Sequence, residues 1–231
     1  MGCGIAPCAA PCSANARALI TNKIGPLNID VLSFIVGSVL GDSHLEKRGN
    51  KGGTRVKFEQ CSANVEYLMM FHKTLSSRGY CSDVKPKLKV RIGKKNERRF
   101  FYTVNSYTYT SFNFLHNMFY IKKKKVIKKE IESYITPLSL AVWFMDDGSK
   151  LGSTVRIATN NFETHETQNL CNILKKKYDL NCSVQKAGGC YTNSILYIKK
   201  NSLKTFYNLV KPYMVGSMLY KFPSFLHSNK C

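Results

Sequence analysis

The stretch Leu140-Ala141-Val142-Trp143-Phe144-Met145-Asp146-Asp147-Gly148 decides how this chain is read. It is an apolar, helix-compatible run that ends on two carboxylates. Thr136-Pro137 ahead of it supply an N-cap and a proline at the first helical position. A carboxylate in the last turn of a helix faces the negative end of the macrodipole, so it needs a compensating cation. The chain repeats the pattern. An earlier apolar run, residues 29–40 with Asp30 as its expected helix start, ends in Gly41-Asp42-Ser43, and Asp42 and Asp147 lie 105 residues apart. One such aspartate reads as an ordinary turn residue before Ser or Gly. Recurrence at equivalent places in a strongly basic chain favours a divalent cation shared between two helix ends.

Working outward, each run is followed by a turn-rich stretch and a short alternating strand, residues 55–60 in one half and 154–159 in the other. An amphipathic helix comes next: about 64–77, with Val65, Leu68, Phe71 and Leu75 at core spacing, and about 165–178, with Leu170, Ile173 and Leu174. Two more strands and a closing helix, near 111–119 and near 202–213, complete each half. Lys87, Lys89 and Arg91 alternate with Leu88, Val90 and Ile92, which predicts cations on one strand face and apolar side chains on the other. The expected fold is therefore α+β, with two pseudo-symmetric αββαββα repeats. The divisions are a poorly ordered leader (1–26), a first repeat (27–121), a basic linker (122–136), a second repeat (137–225) and a tail (226–231). Residues 122–129, six of them lysine, read as solvated.

Composition narrows the function classes. The 231 residues carry 35 Lys+Arg against 14 Asp+Glu, a formal charge of +21, and 44% are apolar. That apolar share is ample for a core and too high for a disordered basic tail. No run approaches the ~18 apolar residues of a membrane span, and the spread-out charge points to nucleic acid. The nine cysteines contain no C-x-x-C pair and the five histidines lack metal spacing, so neither structural zinc nor a disulfide framework is expected. The leader lacks the features of a secretory signal or a transit peptide.

The two runs, Phe34-Ile35-Val36-Gly37-Ser38-Val39-Leu40-Gly41-Asp42-Ser43 and Leu140 to Gly148, resemble the two motifs of the LAGLIDADG homing endonucleases in their single-chain form. Lys211-Pro212-Tyr213-Met214 and Ser217-Met218-Leu219-Tyr220-Lys221-Phe222-Pro223 resemble the closing segment of one subfamily. The resemblance covers roughly residues 28 to 225. It implies that the two motif helices pack at the centre and that antiparallel sheets form a DNA-binding saddle. It also implies Asp42 and Asp147 as metal ligands, with Gly41 and Asp146 beside them. Gly37 and Gly41 would let the first helix approach its partner closely, and Val142 predicts a looser crossing.

The implied activity is site-specific hydrolysis of one phosphodiester in each DNA strand. Mg²⁺ is the expected ion, with Mn²⁺ able to substitute and Ca²⁺ permitting binding without cleavage. By alignment Lys124 and Lys221 are the peripheral catalytic lysines. Gln60, at the end of the first short strand on its apolar parity, is expected to position a water, with Thr159 or Asn160 as its counterpart. Arg55, Lys57, Lys87, Lys89, Arg91, Arg156, Lys186 and Lys199 are the expected DNA contacts. The implied partner is an asymmetric duplex of about 20 base pairs, along which phosphate contacts set register and base edges set sequence. Tyr102, Tyr107, Tyr109 and Tyr197 read as sheet or core aromatics. Two alternatives stand: a maturase that binds its own intron RNA, and a non-catalytic basic nucleic-acid-binding module. No membrane and no obligatory protein partner are expected. The resemblance implies an organelle, mitochondrion or chloroplast.

Overall fold

The computed structural model describes residues 28–49, 52–186 and 194–227. The expected leader, with Cys3, Cys8 and Cys12, lies outside them. No helix among the described residues is long and apolar enough to cross a membrane.

Each half starts from an apolar helix. α1 (Ile29–Leu40) is buried continuously from Val31 to Leu40, which is why its sequence is apolar on all sides instead of along one stripe. Asn28, and not Asp30, is its N-cap, accepting from the Asp30 N–H at 2.9 Å. There follow β1 (His44–Lys47), β2 (Thr54–Cys61), α2 (Val65–Ser76), β3 (Lys89–Ile92), β4 (Arg98–Asn105) and α3 (Asn113–Phe119). A hairpin of β5 (Tyr120–Ile121) and β6 (Lys124–Lys125) leads to the second half. That half comprises α4 (Pro137–Asp147), β7 (Gly148–Leu151), β8 (Thr154–Ala158), α5 (Thr164–Tyr178), β9 (Cys182–Lys186), β10 (Ser194–Ile198) and α6 (Leu203–Val210). Thr136 and Ser139 close α4 with a capping box in which each side chain accepts from the other residue's backbone N–H.

Both four-stranded sheets are antiparallel and have the same strand order, β1-β2-β4-β3 and β7-β8-β10-β9. Their registers correspond too. His44 lies opposite Lys57 as Ser149 lies opposite Arg156, so Lys57 maps onto Arg156 and, three residues on, Gln60 onto Thr159. Strands β1 and β7 occupy stretches that read as turns, because four residues are too few to establish a period.

At the centre α1 packs on α4. A Cβ added at Gly37 would come within 2.3 Å of the Ser139 carbonyl oxygen and 2.8 Å of Val142 Cβ. The looser crossing expected from Val142 therefore does not arise, since the glycine opposite makes room for it. One at Gly41 would meet Asp146 at 2.5 Å, so the helix ends touch at the acidic residues.

Two further expectations change. Leu88, Val90 and Ile92 do face away from the cations, but they are 50%, 52% and 65% exposed. The 12-residue α2 packs mainly on β2 and β4, whereas the 15-residue α5 covers β9 as well as β10. Nor are residues 122–136 simply solvated. β6 lies inside this segment, and Ile127, Ile131 and Ile135 enter the core.

Candidate active site

The site is assembled where the C-terminal ends of α1 and α4 meet. Strand alternation turns Gln60 inward at the end of β2, beyond Phe58. From there its Nε2 donates to Asp42 Oδ2 at 2.7 Å and to Asp146 Oδ1 at 3.1 Å. Asn64 Nδ2 donates to Gln60 Oε1 at 2.9 Å, which fixes the amide orientation, and the Asp42 N–H donates to Asp146 Oδ2 at 3.3 Å. Burial, with Asp42 and Asp147 next in size, pushes the Asp146 carboxyl well above its ordinary range. Burial and then Asp42 push Asp147 up to about 7, against the pull of Lys125 and Lys221. Three carboxyl groups thus crowd a space that favours added positive charge.

Two lysines close the helix ends. Lys125 Nζ donates to the carbonyls of Val39, Gly41 and Ser43 at 2.7, 3.1 and 3.2 Å. Lys221 Nζ does the same at α4, donating to Phe144 at 3.5 Å, to Asp146 at 3.0 Å and to Met145. Carbonyls at a helix C-terminus have no partners within the helix, and a cation there also opposes the macrodipole. The compensation that the acidic helix ends demand is therefore supplied in part by side chains of the chain itself. Burial lowers the pKa of both lysines, while the aspartates act in the opposite sense.

Lys124 is not in this group. Adjacent strand residues point to opposite sides, so when Lys125 turns inward Lys124 turns out, where it pairs with Glu163. A run of four lysines carries no signal that singles out Lys125. Thr159, the register equivalent of Gln60, donates to the Ser194 carbonyl at 2.6 Å and belongs to the fold of its sheet. Asn160 is exposed in the turn that follows. Neither reproduces the Gln60 clamp.

The donors fit a hard divalent ion. Among the described residues no group of three or more His, Cys, Asp or Glu side chains is arranged to hold a metal alone. That is compatible with Mg²⁺, which commonly takes one or two carboxylates and completes its shell with water and phosphate oxygens. Asp42 and Asp147 suit that role. The Gly41 carbonyl already accepts from Lys125, and both Asp146 oxygens have protein donors.

The outer faces of the two sheets flank this centre. On the first, alternation brings out Arg55, Lys57 and Glu59, with Lys89, Arg91, Arg99 and Phe101 on the neighbouring strands. Glu46 pairs with Arg55. Arg91 pairs with Glu59 at 3.2 Å, and its guanidinium sits 4.6 Å from the centre of the Phe101 ring. Lys87 is exposed in the segment leading into β3. On the second sheet the outer face presents Arg156, Ala158, Ser183, Gln185, Ile195 and Tyr197, and the exposed Lys199 follows on the same parity. Lys186 does not share this face. It lies opposite Ser194, whose hydroxyl is turned to Thr159 and Thr167 beneath the sheet. Tyr109 is buried, and Tyr102 and Tyr107 pack against the core.

The chain has relatives both in sequence and in structure. It is 40% identical over 213 residues to the cytochrome b mRNA maturase bI2 of Saccharomyces cerevisiae, covering 90% of this chain and 50% of that protein. The chain therefore spans about half the length of this relative. It is 37% identical over 160 residues to the intron-encoded endonuclease ai4 of Dictyostelium discoideum, covering 66% of this chain and 98% of that one. The structure of the homing endonuclease I-WcaI bound to its DNA recognition sequence superposes with a TM-score of 0.81 at 26% identity, covering 93% of this chain and 95% of that one. The model of the LAGLIDADG DNA endonuclease family matches residues 32–206, from the first motif helix to the last helix of the second repeat, and the chain belongs to that family.

Proposed function

We propose that the protein is a site-specific DNA endonuclease of the homing type that cuts both strands of a long, asymmetric duplex. The observation that carries this reading is the convergence of Asp42 and Asp147 at the ends of two motif helices, each of which leads into a sheet of like strand order. A divalent ion bound there would neutralise phosphate charge and activate a water. The chain's own groups do the rest. Asp42 and Asp147 hold the ligating oxygens in place, and Gln60 fixes Asp42 against Asp146. Lys125 and Lys221, one per half, bring positive charge to the developing phosphorane on either strand. The sheet faces bind the duplex, with phosphate contacts setting affinity and side chains such as Lys57, Arg91 and Arg156 reaching base edges. One chain carries both half-sites, so it acts as a monomer. The intron-encoded relatives support an origin in an organelle.

A second reading has a specific observation in its favour, the 40% identity to a protein named as an mRNA maturase. Intron RNA is then a partner, alone or alongside DNA. Incubating the protein with plasmid carrying the intronless insertion site, with and without Mg²⁺, separates the readings. Linear product that needs Mg²⁺ and disappears with Asp147→Asn supports the endonuclease. Intact plasmid, together with accelerated splicing of the intron transcript, supports the maturase and rejects the first reading.

A further inference from the structure

Between the two repeats the chain makes a tight reversal in an unusual way. β5 and β6 pair with Tyr120 opposite Lys125 and Ile121 opposite Lys124, leaving a two-residue loop of Lys122 and Lys123. Both residues have positive φ, 47° and 69°. That is the signature of a type I′ turn, whose central positions strongly favour Asn-Gly because an L side chain is strained there. Lysine has neither the short polar side chain of asparagine nor the freedom of glycine. These are two of only four residues other than glycine with positive φ among the described residues.

The two lysines also lack any structural employment. Their neighbours are used: Lys124 pairs with Glu163, and Lys125 is turned under the last carbonyls of α1. Lys122 and Lys123 are exposed and make no hydrogen bond or ion pair among the described residues. Four successive like charges in a hairpin repel one another, which adds to the backbone strain. A feature that is destabilising twice over and serves no fold contact points to a ligand.

Position supplies the ligand class. Lys123 is only two residues, roughly 7 Å of extended chain, from Lys125 at the catalytic helix end. On the other side Glu163, which holds Lys124, corresponds in register to Asn64, the residue that orients Gln60 at the carboxylates. The turn is thus tethered between the halves, on one side by Lys125 at the end of α1 and on the other by Lys124 at the start of α5. We infer that Lys122 and Lys123 form a phosphodiester clamp, gripping the nucleic-acid backbone close to the cleavage centre and outside both sheet faces. This rests on the duplex-binding reading above. Asn-Gly at this turn would relieve the strain but carry no charge to the phosphates.

The test pairs two double variants, Lys122→Asn with Lys123→Gly and Lys122→Gln with Lys123→Gln. Binding is measured in Ca²⁺ to a duplex carrying the intronless insertion site, over a range of salt, and melting is followed in parallel. The Asn-Gly variant should melt higher than wild type yet bind roughly tenfold to a hundredfold more weakly, with a salt slope smaller by nearly 2 (about 0.9 for each phosphate no longer neutralised). The Gln-Gln variant should lose the same affinity and slope with a smaller gain in melting temperature, because it relieves the charge repulsion but keeps two L residues at positive φ. Unchanged affinity and slope in both variants, with wild type binding the site normally, would overturn the clamp and leave the endonuclease reading intact. Failure of wild type to prefer the site over a scrambled duplex would reject that reading, and the clamp with it. An Asn-Gly variant that binds weakly but melts no higher would remove the strain argument and so the inference.

Discussion

The two sheets share strand order and register, yet their outer faces have diverged. The first is crowded with charge: Arg55, Lys57, Lys89, Arg91 and Arg99 stand on it, with Glu46 and Glu59 orienting two of the arginines. The second offers one cation within its described strands, Arg156, which donates to Ser149 at 3.1 Å among otherwise neutral side chains. Surface pairs such as Arg91 with Glu59 stabilise a fold by only about 0–1 kcal/mol, so their effect here is to aim the guanidinium. The centre is unequal as well, with Gln60 on the carboxylates in one half and Thr159 tied into its sheet in the other. The helix ends and the lysines that cap them correspond between the halves, whereas the outer sheet faces do not.

The largest effect concerns what the halves share. Replacing Asp42 or Asp147 by Asn removes an anionic ligand with little change in shape, so Mg²⁺-dependent cutting of both strands should fall by orders of magnitude. Duplex affinity in Ca²⁺ should stay within about tenfold, because the basic faces are untouched. Next come the caps. Lys125→Met and Lys221→Met should each slow mainly one strand, by roughly 10² to 10³. Lys124→Met should do little, and labelling each strand separately would reveal a reversed assignment.

Much of this arrangement is legible in the sequence. The motif helices stand out because a fully apolar run ending in a carboxylate is costly and occurs twice, and the residues expected for the first run, 29–40, are those of α1. Asp42, Asp147, Gln60 and Lys221, each singled out in the sequence, lie together at the ends of the motif helices. Lys125 is hidden, since alternation in a two-residue strand cannot be phased within four lysines. The parity of Lys186 is likewise set only by pairing with β10. The exposure of Val90 and Ile92 depends on the length of α2, a tertiary matter that no strand pattern encodes.

Smaller effects sharpen the contrast between halves. Gln60→Ala should slow one strand by about tenfold or more, as expected for loss of a positioned hydrogen-bond donor. Thr159→Val should lower the melting temperature without a strand preference, because it strands the Ser194 carbonyl. Equal strand effects from the two variants would mean that the centre is symmetric after all. For the faces, neutralising Lys57, Lys89 and Arg91 together should reduce the salt slope by nearly 3, and Arg156→Ala by 1 at most, at about 0.9 per neutralised phosphate. Equal slopes would contradict the division of charge.

The most direct measurement is a strand-resolved cleavage time course on supercoiled plasmid bearing the intronless insertion site, run with wild type, Asp147→Asn and Lys221→Met in Mg²⁺. The account predicts linear product from wild type, neither strand cut by Asp147→Asn, and accumulation of a nicked circle broken in one strand with Lys221→Met. Normal linearisation by Asp147→Asn, or equal slowing of both strands by Lys221→Met, would contradict a shared centre served by one lysine from each half.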